Sequence, residues 1–232
     1  MLLPEVELKI DKRLSLLDLW RYGKIADIPL EASVTEEHFR KPPENLEYAP
    51  APVGSRWGEH WKTVWFRGKI EVPKQFKGCR IFYRHDSVAE KLLFVNGKPY
   101  AGMDLYHKEV LLTPNAKGGE TYEIHIESYC GHPFPGVDGY DLRIRTLHSV
   151  GGAPEDDPPL VLKASELLYE RVNVNKFYFD ALALFQTAKI LDINSLRRAR
   201  ILKELNRALD LIPLHWDDEK ELEKSVLEAH NI

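Results

Sequence analysis

The stretch TVWFRGKIEVP, residues 63–73, decides the fold class. Val64, Phe66, Gly68, Ile70 and Val72 fall on one face of an extended chain, and Thr63, Trp65, Arg67, Lys69 and Glu71 on the other. Successive side chains of a strand point to opposite faces, so this alternation is what a strand with one buried side requires. Downstream, Ile81, Tyr83 and His85 share one side of a second strand. In KLLFVNGKPY (91–100), Asn96-Gly97 sits between two strand-like halves. Both residues tolerate positive φ, which predicts a tight hairpin turn. HKEVLLT (107–113) and TYEIHIESY (121–129) continue the series, separated by Pro114-Asn115 and Gly118-Gly119. In the second of these, Tyr122, Ile124, Ile126 and Ser128 share a face opposite Glu123, His125 and Glu127. YDLRIRTL (140–147) and PLVLKASELLYERV (159–172) are the last strand candidates, on either side of a Gly/Pro/Asp loop at 149–159. Many short strands with regular turn signals predict an antiparallel β-sandwich or jelly roll, not a parallel sheet.

The flanks read differently. Leu14, Leu16, Leu17, Leu19, Trp20, Ile25 and Ile28 predict a helix over 12–28. Ser33-Val34-Thr35-Glu36 fits a capping box and a short helix. Prolines 42, 43, 50 and 52 then mark a connecting segment. After Val172 the spacing becomes helical, with Phe177, Ala181, Leu184, Ala188 and Leu191 on one face. Asp192 or Asn194 can cap a following helix with the stripe Ile201, Leu205, Ala208, Leu209 and Ile212, which Pro213 stops. A last helix begins at Asp217 or Asp218, with Glu221 placed for a capping box and Leu222, Val226 and Ala229 as its apolar face. The expected class is therefore α+β, an antiparallel sandwich with an N-terminal helix and C-terminal helices. The expected division is 1–47, 48–172 and 173–232. Asn231-Ile232 carries no stop signal, so the chain reads as a piece of a longer protein.

Composition narrows the function. With 232 residues, 44% hydrophobic and 29% charged, the chain is a globular sequence able to bury a core. A net charge of −4 argues against a nucleic-acid partner. The local basic run Arg197, Arg198, Arg200 and Lys203 reads as a solvated helix face. Two cysteines, Cys79 and Cys130, make no disulfide framework, so the cytoplasm is the expected compartment. MLLPEVELKIDKR is not a signal peptide, and no apolar run approaches the ~18 residues of a membrane span, so no membrane partner is expected.

No self-contained catalytic site is legible. There is no G-x-S-x-G, and Cys130 with His132 reads as an incidental pair. C-x-x-C and H-E-x-x-H pairs, a P-loop and G-x-G-x-x-G are absent, so neither metal nor cofactor is expected in this chain. Asp156-Asp157 and Asp217-Asp218 read as loop and cap residues, not as a glycosidase carboxylate pair. Aromatic residues are the remaining candidates. Trp57, Trp61 and Tyr106 could stack on sugar faces, whereas packing over the sandwich explains the cluster Trp57, Trp61 and Trp65 more simply.

These same stretches carry a resemblance. Trp57-Gly58, Trp65-Phe66-Arg67, Val72-Pro73, Leu93 through Pro99, Gly102-Met103-Asp104 and Gly119 through Tyr129 resemble the N-terminal jelly-roll region of glycoside hydrolase family 38 α-mannosidases, over roughly 50–172. The resemblance implies a parent protein that hydrolyses α-mannosides with retention, using zinc held in its own catalytic domain. It implies no catalytic residue here: the family's His-x-Asp motif has no counterpart, and Glu228-Ala229-His230-Asn231 does not match it. The expected role is accessory. The expected partner is the catalytic domain of the same protein, with mannose-containing glycans and a homo-oligomer interface as further partners to test. Two other readings stay open, a carbohydrate-binding module and the sugar-binding domain of a β-galactosidase-like enzyme.

Overall fold

The computed structural model describes residues 3–57, 62–87, 89–129 and 160–232; the strand expected at 140–147, the 149–159 loop, Cys130 and His132 lie outside them. The chain forms two units, residues 24–169 and residues 1–23 with 170–232.

The first unit is an antiparallel sandwich. Its strands are β1 Tyr22–Asp27, β2 Glu31–Thr35, β3 Ala49–Pro50, β4 Arg56–Trp57, β5 Thr63–Glu71, β6 Ile81–Asp86, β7 Glu90–Val95, β8 Lys98–Met103, β9 Glu109–Thr113, β10 Thr121–Tyr129, β11 Leu160–Val161 and β12 Ala164–Glu170. One sheet runs β1-β12-β6-β9, a second runs β3-β2-β5-β10-β7-β8, and β4 pairs with β11. Strand β5 sits inside the larger sheet, between β2 and β10. Its inner face, Val64, Phe66 and Ile70, is buried against Tyr83, Leu93, Ile124, Ile126 and Leu167, as the alternation requires. Gly68 lies on that same face, where a Cβ would meet the Leu30 Cδ2 at 2.8 Å and the Pro29 carbonyl at 3.0 Å.

The other face of β5 departs from expectation. Thr63 and Trp65 are buried too. Phe39 from the proline-rich segment and Phe94 cover the indole at ring-centre distances of 6.5 and 5.5 Å. At the β7–β8 hairpin, Asn96 has φ of 50° and Gly97 of 74°, the pair of positive values that a two-residue turn needs.

Two helical expectations fail at the N-terminal side of this unit. Helix α1, Leu3–Trp20, stops before the expected end, and 22–27 is strand β1. Its neighbour β12 offers a ladder of backbone partners, continued where the Ile28 N–H donates to the Ser165 carbonyl at 2.8 Å. Likewise Ser33 to Thr35 belong to β2, paired with Trp65, Val64 and Thr63 of β5. The side chain that caps there is Thr35, whose hydroxyl accepts from the Glu37 N–H at 3.0 Å. Strand pairing outweighs a local capping signal.

The second unit gathers both chain ends, so the expected boundaries at 47 and 172 do not describe it. Helix α1 packs with α2 Val172–Ile190 and α3 Leu196–Asp210, and α4 Glu219–His230 packs on α2 and α3. Ile10, Leu14 and Leu17 share a core with Phe177, Phe185, Leu202, Leu205 and Leu222. Polar ties close the long loop between the ends. Lys9 pairs with Asp210 at 2.6 Å, Arg198 with Glu7, and Arg13 donates to the Leu209 and Ile212 carbonyls. Arg198 is thus buried, and not part of a solvated basic face; its charge is met by Glu7 and its Nε donates to the Ala188 carbonyl. Helix α3 is preceded by Ser195, with no side-chain cap, while Asp192 accepts from the Asn194 N–H inside the linker. Helix α4 follows expectation: Asp218 caps it and Leu222, Val226 and Ala229 are its buried face. In α2 the stripe runs through Val174, Phe177, Ala181, Phe185 and Ala188, so Leu184 is displaced to the surface.

Candidate functional site

Register places several strand ends together. Tyr129 at the end of β10 lies opposite Thr63 and Glu90, the starts of β5 and β7, and Asp86 at the end of β6 lies opposite Ala164, the start of β12. The loop from β8 to β9 leaves at this same end, and it carries Tyr106, a residue 68% exposed. Asp104 shapes that loop. Its carboxylate accepts from the Tyr106 and His107 N–H groups at 2.7 Å and lies 2.9 Å from His107 Nδ1. Burial alone pushes the Asp104 carboxyl up, but the His107 ring and these two N–H donors together outweigh it and hold it below its usual value. Beneath the loop, the buried Lys91 ammonium donates to the Ser87 and Ala89 carbonyls, and Lys108 pairs with Asp86 at 2.9 Å. Burial lowers the Lys91 pKa to about 8, with Asp104 and Asp86 pulling the other way.

The three aromatic candidates do not form one platform. Trp57 is only 5% exposed and meets Phe66 edge-on at 5.0 Å, so its ring belongs to the core and cannot stack on a sugar. Trp61 lies outside the described residues. Tyr106 alone presents a free ring. Deeper inside, the Tyr83 hydroxyl lies 3.0 Å from Ser165 Oγ and 3.4 Å from His85 Nδ1. Burial, reinforced by the Lys91 charge, pushes the His85 pKa down to about 3, so its imidazole stays neutral. This chain of polar groups is sealed from solvent, which makes it an internal tie between β6 and β12.

A different surface lies in the helical unit. Helices α2, α3 and α4 leave a groove of about 570 Å³ lined by Phe177, Ala181, Leu184, Leu196, Ile201 and Ile232. Leu196 is 84% and Leu184 48% exposed. Arg197 and Arg200 stand on one flank, and His230 with Asp180, 2.8 Å apart, on another. Sequence reading missed it because Leu184 counted toward the buried stripe and the other residues are spread over three helices.

Residues 24–149 match the family described as the jelly-roll domain of Ams1-like α-mannosidases. The chain belongs to that family. The match begins at Lys24, where the sandwich unit of this α-mannosidase jelly-roll chain also begins. Two relatives extend it. Alpha-mannosidase G of Dictyostelium discoideum is 30% identical over 159 residues, 66% of this chain and 14% of that protein. Alpha-mannosidase 2C1 of Mus musculus is 22% identical over 197 residues, 82% of this chain and 18% of that protein. The chain thus spans less than a fifth of the length of these relatives. Among structures, a β-glucuronidase of Faecalibacterium prausnitzii aligns with a TM-score of 0.39 at 17% identity, over 65% of this chain and 31% of that one. Among the described residues of this jelly-roll chain, no three His, Cys, Asp or Glu side chains stand so that they could hold a metal ion. No described helix is long and apolar enough to cross a membrane.

Proposed function

We propose that this chain is the non-catalytic N-terminal part of a family 38 α-mannosidase and that it docks on the catalytic domain of that protein in the cytoplasm. The observation that carries the reading is the open apolar groove between α2, α3 and α4. Leucines left exposed to this extent cost hydration free energy, about 25 cal/mol for each Å² of apolar surface that a partner would cover. The matched part is less than a fifth of each relative, so in a protein of that length the remaining polypeptide is available as such a partner. The hydrolytic carboxylates and the zinc belong to that remainder. The sandwich fits the division of labour: Tyr83, His85 and Lys91 are buried inside it, and Tyr106 is its exposed aromatic candidate.

The test uses the separately produced catalytic part of the same α-mannosidase. Mixed with the whole chain, it should co-elute as a stable complex. Leu196→Asp and Leu184→Asp should each weaken that complex by about tenfold or more, because each buries a charge in an apolar contact. Unchanged affinity in both variants would place the contact elsewhere and defeat the docking reading.

A further inference from the structure

The outer face of the larger sheet carries a second recess, at the end of the sandwich away from Tyr106. It measures about 910 Å³ and lies among Glu31, Arg67, Lys69, Asn96, Thr121 and Glu123. A volume of this order falls in the range of small-molecule sites, roughly 300–1,000 Å³. Arg67 is held from two sides: its Nε donates to Glu31 at 2.7 Å, and its guanidinium lies 4.1 Å from the centre of the Tyr48 ring. A side chain fixed in this way gives up little freedom when it donates to a ligand. Across the sheet, Arg67 is opposite His125 and Lys69 is opposite Glu123. The His125 Nδ1 is buried and lacks a partner among the described residues. Asn96 is fixed as well, accepting from the Glu123 N–H at 2.9 Å.

The charges of the recess decide what it can hold. Two bases, Arg67 and Lys69, stand with two acids, Glu31 and Glu123. An anion entering would approach both carboxylates, and a cation both bases. A neutral polyhydroxylated ligand meets neither repulsion and can use every donor and acceptor. The exposed rings of Pro29 and Pro50 line the same recess and give it an apolar wall suited to the C–H face of a sugar ring. We propose that this recess binds a neutral pyranoside. The proposal stands apart from the docking reading, which concerns the helical unit.

The experiment is an amide chemical-shift titration of the nitrogen-labelled whole chain with mannobiose, and in parallel with glucuronate and with glucosamine. Mannobiose should shift the amides of Lys69, Asn96 and Glu123 with a Kd on the order of millimolar. Arg67→Ala should weaken binding by about tenfold or more, through loss of a charged donor. Lys69→Ala removes an exposed side chain, leaves the spectrum of the folded chain otherwise intact, and should weaken binding by about threefold. Three results would each overturn the proposal: no shifts at saturating mannobiose, shifts confined to the Tyr106 loop, or tighter binding of either charged sugar. An unchanged Kd in both variants would do the same.

Discussion

The sandwich and the helical unit solve the same problem to different degrees. In the sandwich two sheets face each other, and the inward row of every long strand ends in the core: Phe66, Ile70, Tyr83, Leu93, Ile124 and Leu167. Part of its polar interior is paired, with Tyr83 tied to Ser165 and Lys91 to two carbonyls, whereas His85 Nε2, Ser87 Oγ and Ser128 Oγ lack partners among the described residues. The helical unit joins chain ends almost two hundred residues apart, through Arg198–Glu7 and Lys9–Asp210, yet leaves Leu184 and Leu196 in water. A sheet pair closes on itself, whereas a few helices bury one face each and can keep another for a partner. The difference teaches that the two units close to different degrees: the sandwich covers its own inner faces, whereas the helical unit keeps an open apolar groove.

That contrast can be broken experimentally, most forcefully at Trp65. Its indole fills the outer face of β5 beneath Phe39, so Trp65→Ala should lower unfolding free energy by about 3–5 kcal/mol in a urea titration. A loss under ~1 kcal/mol would show that the proline-rich segment does not pack there. A pH series sharpens the comparison next. Burial depresses the His85 pKa in the folded chain to about 3 from its ordinary 6.5. Between those values the unfolded chain binds the extra proton, so the stabilisation is fully present above pH 6.5 and is lost as pH falls toward 3. The expected span is about 5 kcal/mol, and His85→Asn should flatten that part of the profile. An equally steep profile in the variant would assign the acid sensitivity to other groups. The smallest effect belongs to the groove. Leu184→Ala should change the stability of the chain alone by no more than about 0.5 kcal/mol, because the side chain packs against little. A large loss would mean that the groove serves the helical unit itself.

How far the sequence revealed this division follows from the range of each signal. The alternation in 63–73 and 121–129 and the Asn96-Gly97 turn act over a few residues, and both strands and the turn appear in the structure, although Thr63 and Trp65 on the outer face of β5 are buried as well. Strands β1 and β2 were hidden, since their identity rests on pairing with β12 and β5, far along the chain, against local helix signals. Helical spacing at intervals of three and four could not separate Leu184 from Phe185, and that one-residue choice decides which side chain is core and which lines the groove. Trp57 and Tyr106 looked alike as aromatic candidates, but burial divides them completely. The recess at Arg67 escaped notice for the same reason: Glu31, Arg67 and Glu123 come from three strands and meet only through register.

The proposed function puts the hydrolytic chemistry outside this chain, and one assay addresses that head-on. Incubate the pure whole chain with an aryl α-mannoside, with added zinc and without, and follow release of the phenol. The expected trace is that of buffer alone in both conditions. Product formation proportional to chain concentration would place a working active site within these 232 residues and contradict the account.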